Sequence, residues 1–218
     1  MENSGSKLSV AQLIWIPAMI TLAITILRLE GELQHWSRIF FNPSAGGGGA
    51  IVGITWLPII FGPYFAVKLK KNGQEPAGSG KAIGFAILGA ILFLAGAALA
   101  FAPVFSFPGR RVVGILLLAA GAALQFVPWS ALAKTLLAYA YAARIPVALI
   151  MFFAIRGSWG THYDALPPEA VPASFWPKYL AVALLPQLVM WIAYTIVLGT
   201  LLGAIFAALS KKPVPQPT

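Results

Sequence analysis

The sequence predicts an all-α integral membrane protein, a bundle of about six transmembrane helices with several kinked by proline. Three observations predict it. The 218 residues are 59% hydrophobic and only 10% charged, whereas soluble domains carry about 25% charge. Mean hydropathy is +0.83. Six apolar runs, near residues 10–29, 50–69, 82–104, 112–128, 132–155 and 179–209, approach the roughly 20 residues that cross a bilayer. Backbone polar groups find no water in hydrocarbon, so such runs must be helical. Residues 1–212 read as one six-helix domain, with a short disordered tail at 213–218.

The net charge of +9 does not mark a nucleic-acid binder. The lysines flank apolar runs, where positive-inside topology and anionic lipid account for them. Cysteine is absent, which removes disulfides, thiolate metal sites and cysteine nucleophiles. The first run is too long for a signal-peptide core and is followed by Arg28-Leu-Glu-Gly-Glu32 rather than a cleavage site, so it reads as a retained helix.

In that first helix, Thr21, Thr25, Arg28, Glu32 and His35 fall within an arc of about 80° at 100° per residue. Two readings are open. The stripe faces into the bundle, or the helix emerges into water at Arg28 with Glu32 as its i,i+4 partner. The next segment, Asn42-Pro-Ser-Ala-Gly-Gly-Gly-Gly49, lacks the Lys-Ser/Thr of a phosphate-binding loop and reads as a flexible outer loop.

The second helix holds Pro58 and Pro63, both expected to kink it. The loop from Lys68 to Lys81 contains four lysines and is the sharpest topological signal. It places both termini and this loop in the cytoplasm. The third and fourth helices echo each other in Gly96-Ala-Ala-Leu-Ala-Phe-Ala-Pro103 and Gly121-Ala-Ala-Leu-Gln-Phe-Val-Pro128, which in so alanine-rich a chain reads as chance.

The fifth helix carries Arg144, about 15 Å from Lys134 and about 18 Å from Arg156 at 1.5 Å per residue. A charge at that depth costs a few kcal/mol, and is expected to face polar partners inside the bundle rather than lipid. Its candidate partners are Tyr141, Gln187 and Tyr194, with Glu32 if the first helix lies alongside. The loop after this helix, with Trp159, Tyr163 and Pro167-Pro168, is expected to fold back over the bundle. In the sixth helix Trp191 and Tyr194 share the face of Gln187. Gly199, Gly203 and Ala207 form a small-residue ridge for contact within the bundle or with a second copy or a partner subunit. Trp176 and Tyr179 beside Lys178 read as an interfacial anchor.

The outer side collects His35, His162, Asp164 and Glu32, ligand types a divalent metal would use, though at spacings that match no metal motif. No Gly-x-Ser-x-Gly elbow and no paired Glu-x-x-His motif is present. The residues carry no family resemblance strong enough to name, and the reading leans away from an enzyme. The reading preferred is binding or transport of a small anionic or amphipathic solute, through a polar cavity lined by Arg144, Arg28, Tyr141, Gln187, Tyr194 and Glu32. The alternatives are an accessory subunit of a membrane complex, and a membrane-embedded enzyme, metal-dependent in one version, acting on a lipid-linked substrate.

Overall fold

The computed structural model describes residues 9–47, 49–102, 105–166 and 174–210. Among these the chain is helical, with no strand: α1 (Val10–Leu33), α2 (Leu57–Lys71), α3 (Ser79–Phe101), α4 (Arg110–Leu124), α5 (Ser130–Gly157) and α6 (Phe175–Leu209). The expected tail at 213–218 and the Pro167-Pro168 pair lie outside the described residues. Four helices, α1, α3, α5 and α6, are long and apolar enough to cross a membrane. They leave large apolar side chains uncovered, such as Ile16, Ile20 and Leu27 of α1 and Ile87, Ile91 and Leu94 of α3. α2 and α4 have 15 residues each, about 22 Å of helix against a hydrocarbon core of about 30 Å.

The shortfall has local causes. The apolar run from 50 becomes helical only at Leu57, because residues 50–56 are bent. Pro58 is therefore the second residue of α2, where its missing N–H costs nothing, and it is not the kink the sequence suggested. Pro63 does lie inside α2. α4 stops at Leu124, ahead of Pro128, whose ring disfavours helical geometry in the residue before it.

α6 departs furthest from an ordinary helix. It is π-wound over Leu180–Leu184 and again over Pro186–Met190. The Leu185 N–H bonds the Leu180 carbonyl and the Trp191 N–H bonds the Pro186 carbonyl, each five residues back. Pro186 offers no N–H of its own, so the ladder has to re-register around it.

The chain divides into two compact units. One comprises described residues 9–15, 58–139 and 193–210, and glycine sets its packing. A Cβ on Gly96 would stand 2.7 Å from the Gly114 carbonyl oxygen, and one on Gly121 would stand 2.8 Å from that of Gly89. The two crossings are in antiparallel register, seven residues apart on each strand of the α3–α4 hairpin, so the helices touch backbone to backbone. α2 and α6 meet the same way, where a Cβ on Gly62 would stand 2.5 Å from the Gly199 oxygen. Gly199, Gly203 and Ala207 are all buried here, against Gly62, Ala66, Leu132 and Leu136 among others. Of the two kinds of contact expected of this ridge, the one within the chain is thus made. Lys70 closes the end of α6, its Nζ donating to the carbonyls of Ala207 (2.6 Å) and Ser210 (2.8 Å), where a cation also meets the negative end of the helix dipole.

The second unit comprises residues 16–57 and 140–192. Its core is Val147, Met151, Ala154 and Ile155 of α5 with Tyr163, Tyr179 and Ala183. Tyr179 is buried and donates from its hydroxyl to the Ala148 carbonyl, 3.1 Å away. It is a core contact, whereas Trp176, with which it was expected to form an anchor, is 61% exposed.

Candidate functional site

The site is built from α1 outward, within the second unit. Thr21, Thr25, Arg28 and Glu32 are all buried, so the polar stripe faces inward and the helix does not simply emerge into water at Arg28. The hydroxyls of the two threonines bond the Pro17 and Thr21 carbonyls four residues back at 2.7 and 2.9 Å. His35 is not part of the stripe. It lies past the end of α1 at φ 53° and is exposed.

Arg28 is the organiser of the glycine-rich loop. Its Nε donates to Glu32 Oε1 at 2.8 Å, Nη1 to the Val52 carbonyl at 3.0 Å, and Nη2 to the carbonyls of Asn42 and Gly47 at 3.2 and 2.9 Å. The planar fork suits several acceptors at once. Glycine makes room for it: a Cβ would come within 3.0 Å of the guanidinium at Gly47 and 2.9 Å at Gly53. Asn42, Gly47 and Val52 are therefore folded onto a buried charge, and the loop is not the free tether its composition suggested.

Glu32 carries the next link. Its carboxylate accepts from the backbone N–H of His162 at 2.8 Å and sits 2.7 and 2.8 Å from His162 Nδ1 through its two oxygens. Arg28 and the His162 amide both donate to it, so the carboxylate is the acceptor throughout and Nδ1 carries the hydrogen. The imidazole pKa is pushed below its usual value, by burial first and then by the Arg28 charge, while Glu32 and Asp164 pull the other way. At neutral pH the ring is thus uncharged, with its lone pair on Nε2.

The flanking residues fix this loop. Asp164 accepts from the Thr161 amide and hydroxyl, each at 2.8 Å, and from the Gly160 amide at 3.0 Å. Tyr163 is 3% exposed and donates to the Thr25 carbonyl at 3.3 Å. Burial raises its hydroxyl pKa well above the usual value, so it remains a donor. The part of the loop that is described folds back over α1 and α5, as expected.

Arg144 lies midway along the 28 residues of α5, about 20 Å from either end, and is 4% exposed. Its Nη1 donates to Gln187 Oε1 at 3.3 Å, and the guanidinium carbon is 4.7 Å from the centre of the Trp191 ring. Gln187 is in turn oriented by Nε2 contacting Met151 Sδ at 3.6 Å. Gln187 belongs to the second π-wound stretch of α6 and Trp191 follows it directly. Wide turns of this kind are frequent at functional sites. The Arg144 charge acts on the Tyr163 hydroxyl, as do those of Arg28 and Glu32, which puts Tyr163 within the electrostatic reach of both polar groups.

Of the residues singled out from sequence, the structure joins Arg28, Glu32 and His162 in one cluster and Arg144 and Gln187 in another. Tyr141 is 43% exposed and lines neither. Tyr194 belongs to the first unit and packs against Phe93, with ring centres 5.9 Å apart. Asp164 is turned into its own loop, and among the described residues no three His, Asp or Glu side chains converge as a metal ion would require. Three participants were missed. Gly47 was read as loop composition, Gly53 as part of the second apolar run, and Met151 as an ordinary apolar residue. Compared with known proteins, the chain matches no family model, and no curated protein or solved structure matches it significantly.

Proposed function

We propose that this chain is a multi-pass membrane protein that binds, and passes across the bilayer, a small anionic or amphipathic solute recognised by Arg144. One observation carries the reading. A guanidinium is held at the mid-depth of a spanning helix, beside a π-wound stretch of the neighbouring helix that supplies Gln187 and Trp191. An ionisable side chain so deep is costly and marks solute or ion pathways. Solute sites near the bilayer midplane are typically made where a spanning helix departs from regular winding.

Arg28 has no part in recognition on this reading, because its donors are committed to Glu32 and to the loop carbonyls. It holds the outer rim instead. Both termini and the Lys68–Lys81 loop face the cytoplasm, which puts His162 and the glycine-rich loop on the outer side.

The test is an inventory by mass spectrometry of the solutes and lipids that co-purify with wild-type protein and with Arg144→Gln. An anionic species enriched in the wild type and lost from the variant is the expected result. Identical inventories from two well-folded proteins contradict it.

A second reading draws on the Glu32–His162 contact. A buried carboxylate that fixes an imidazole through Nδ1 leaves Nε2 as a proton acceptor, as an enzyme acting on a lipid-linked substrate at the outer interface would need. Turnover abolished by His162→Gln but unaffected by Arg144→Gln would favour it over transport.

A further inference from the structure

An open cleft of about 540 Å³ lies between the last turn of α5 and the first turn of α6, lined by Ile155, Arg156, Phe175 and Lys178. Two of its walls are apolar and two are cationic. Among the described residues neither cation makes an ion pair, the pairs there being Arg28–Glu32 and His162–Glu32.

The surroundings identify the medium. Phe175 is packed by Phe152 and Trp176, with ring centres 5.1 Å away in each case, and Trp176 is 61% exposed. An aromatic group of this kind at the end of a spanning helix belongs at the headgroup level of a bilayer. The cleft volume falls in the range of small-molecule sites, about 300–1,000 Å³.

We propose that this cleft binds the headgroup of an anionic phospholipid from the surrounding leaflet. The phosphodiester sits between Arg156 and Lys178, and the first acyl carbons run along Ile155 and Phe175. A free phosphate would use the two cations but leave the apolar walls bare, which is why a lipid is the occupant. The inference requires that α5 and α6 span a membrane and is independent of the role of Arg144.

The test is native mass spectrometry of the full chain in a non-ionic detergent, titrated with phosphatidylglycerol, phosphatidylcholine or inorganic phosphate. Wild-type protein should retain phosphatidylglycerol in preference to phosphatidylcholine. Arg156→Gln and Lys178→Gln should each weaken that retention roughly fivefold, since a basic group near anionic lipid contributes about 1 kcal/mol. Among the described residues neither side chain has an ion-pair partner to lose, so the variants should keep the fold. Lys68→Gln and Lys71→Gln should leave retention unchanged. Equal retention of the two lipids, unchanged retention in the Arg156→Gln/Lys178→Gln double variant, or displacement of the lipid by inorganic phosphate at equal concentration would overturn the proposal.

Discussion

His162 and Glu32, 130 residues apart in sequence, are joined by both a backbone and a side-chain contact, the amide and the imidazole Nδ1 each lying within 2.8 Å of the carboxylate. Because Arg28 holds the same carboxylate at 2.8 Å, α1, the glycine-rich loop and the loop after α5 are tied to one buried point. Several measurable consequences depend on that point.

The first is pH dependence. The folded pKa of His162 lies below its usual 6.5, so the fold favours the neutral ring. The stability this contributes is fully present above about pH 6.5 and is lost as the pH falls through the lowered value. Protection against hydrogen exchange in residues 158–166, taken relative to the intrinsic rate at each pH, should therefore fall on acidification. His162→Asn keeps a donor for Glu32 but cannot titrate, and should abolish the dependence.

The second concerns Arg28. Arg28→Lys preserves a charge beside Glu32 but loses the fork that reaches Asn42, Gly47 and Val52. Each buried carbonyl left without its donor costs about 1–3 kcal/mol. The variant should show a lower Tm, and exchange protection should be lost first in residues 42–53.

How much of this could be read in advance follows from particular residues. The inward stripe of Thr21, Thr25, Arg28 and Glu32 was visible because a regular helix maps spacing onto direction. His35 was misplaced because α1 ends two residues before it and the periodicity no longer applies. Tyr141 and Arg144 were grouped within one arc, but an arc of about 80° straddles the edge between the buried and the exposed face of a helix. The Glu32–His162 contact had no sequence signal beyond the two residue types, since partners so far apart are brought together only by tertiary folding. Gly47 looked like flexibility and Gly53 like part of a helix because composition does not say what a glycine makes room for.

Glycine in the first unit can be tested by volume. Gly62→Val would drive a branched side chain against the Gly199 backbone, 2.5 Å from its Cβ, and should cost about 1–3 kcal/mol or more. Gly84→Val, on α3 with nothing within 4 Å of its Cβ, should cost far less. Thermal unfolding of the two variants side by side checks the difference.

Topology is addressed by reporter fusions. A reporter after Lys71 and one at the C-terminus should read as cytoplasmic, and one inserted after Gly160 as external. External readings for the first two would reverse the assignment of the outer rim.

The central claim, that Arg144 recognises an anionic solute, is tested most directly by thermal unfolding of the wild type, Arg144→Lys and Arg144→Gln with a panel of anions. The panel comprises acetate, benzoate, laurate and inorganic phosphate, with chloride as reference. A bound ligand raises Tm with the logarithm of the ratio of its concentration to its Kd. The account predicts that at least one organic anion stabilises the wild type, stabilises Arg144→Lys less because the planar fork is lost, and does not stabilise Arg144→Gln. Stabilisation of equal size in the wild type and Arg144→Gln, or none in the wild type by any member of the panel, would contradict it.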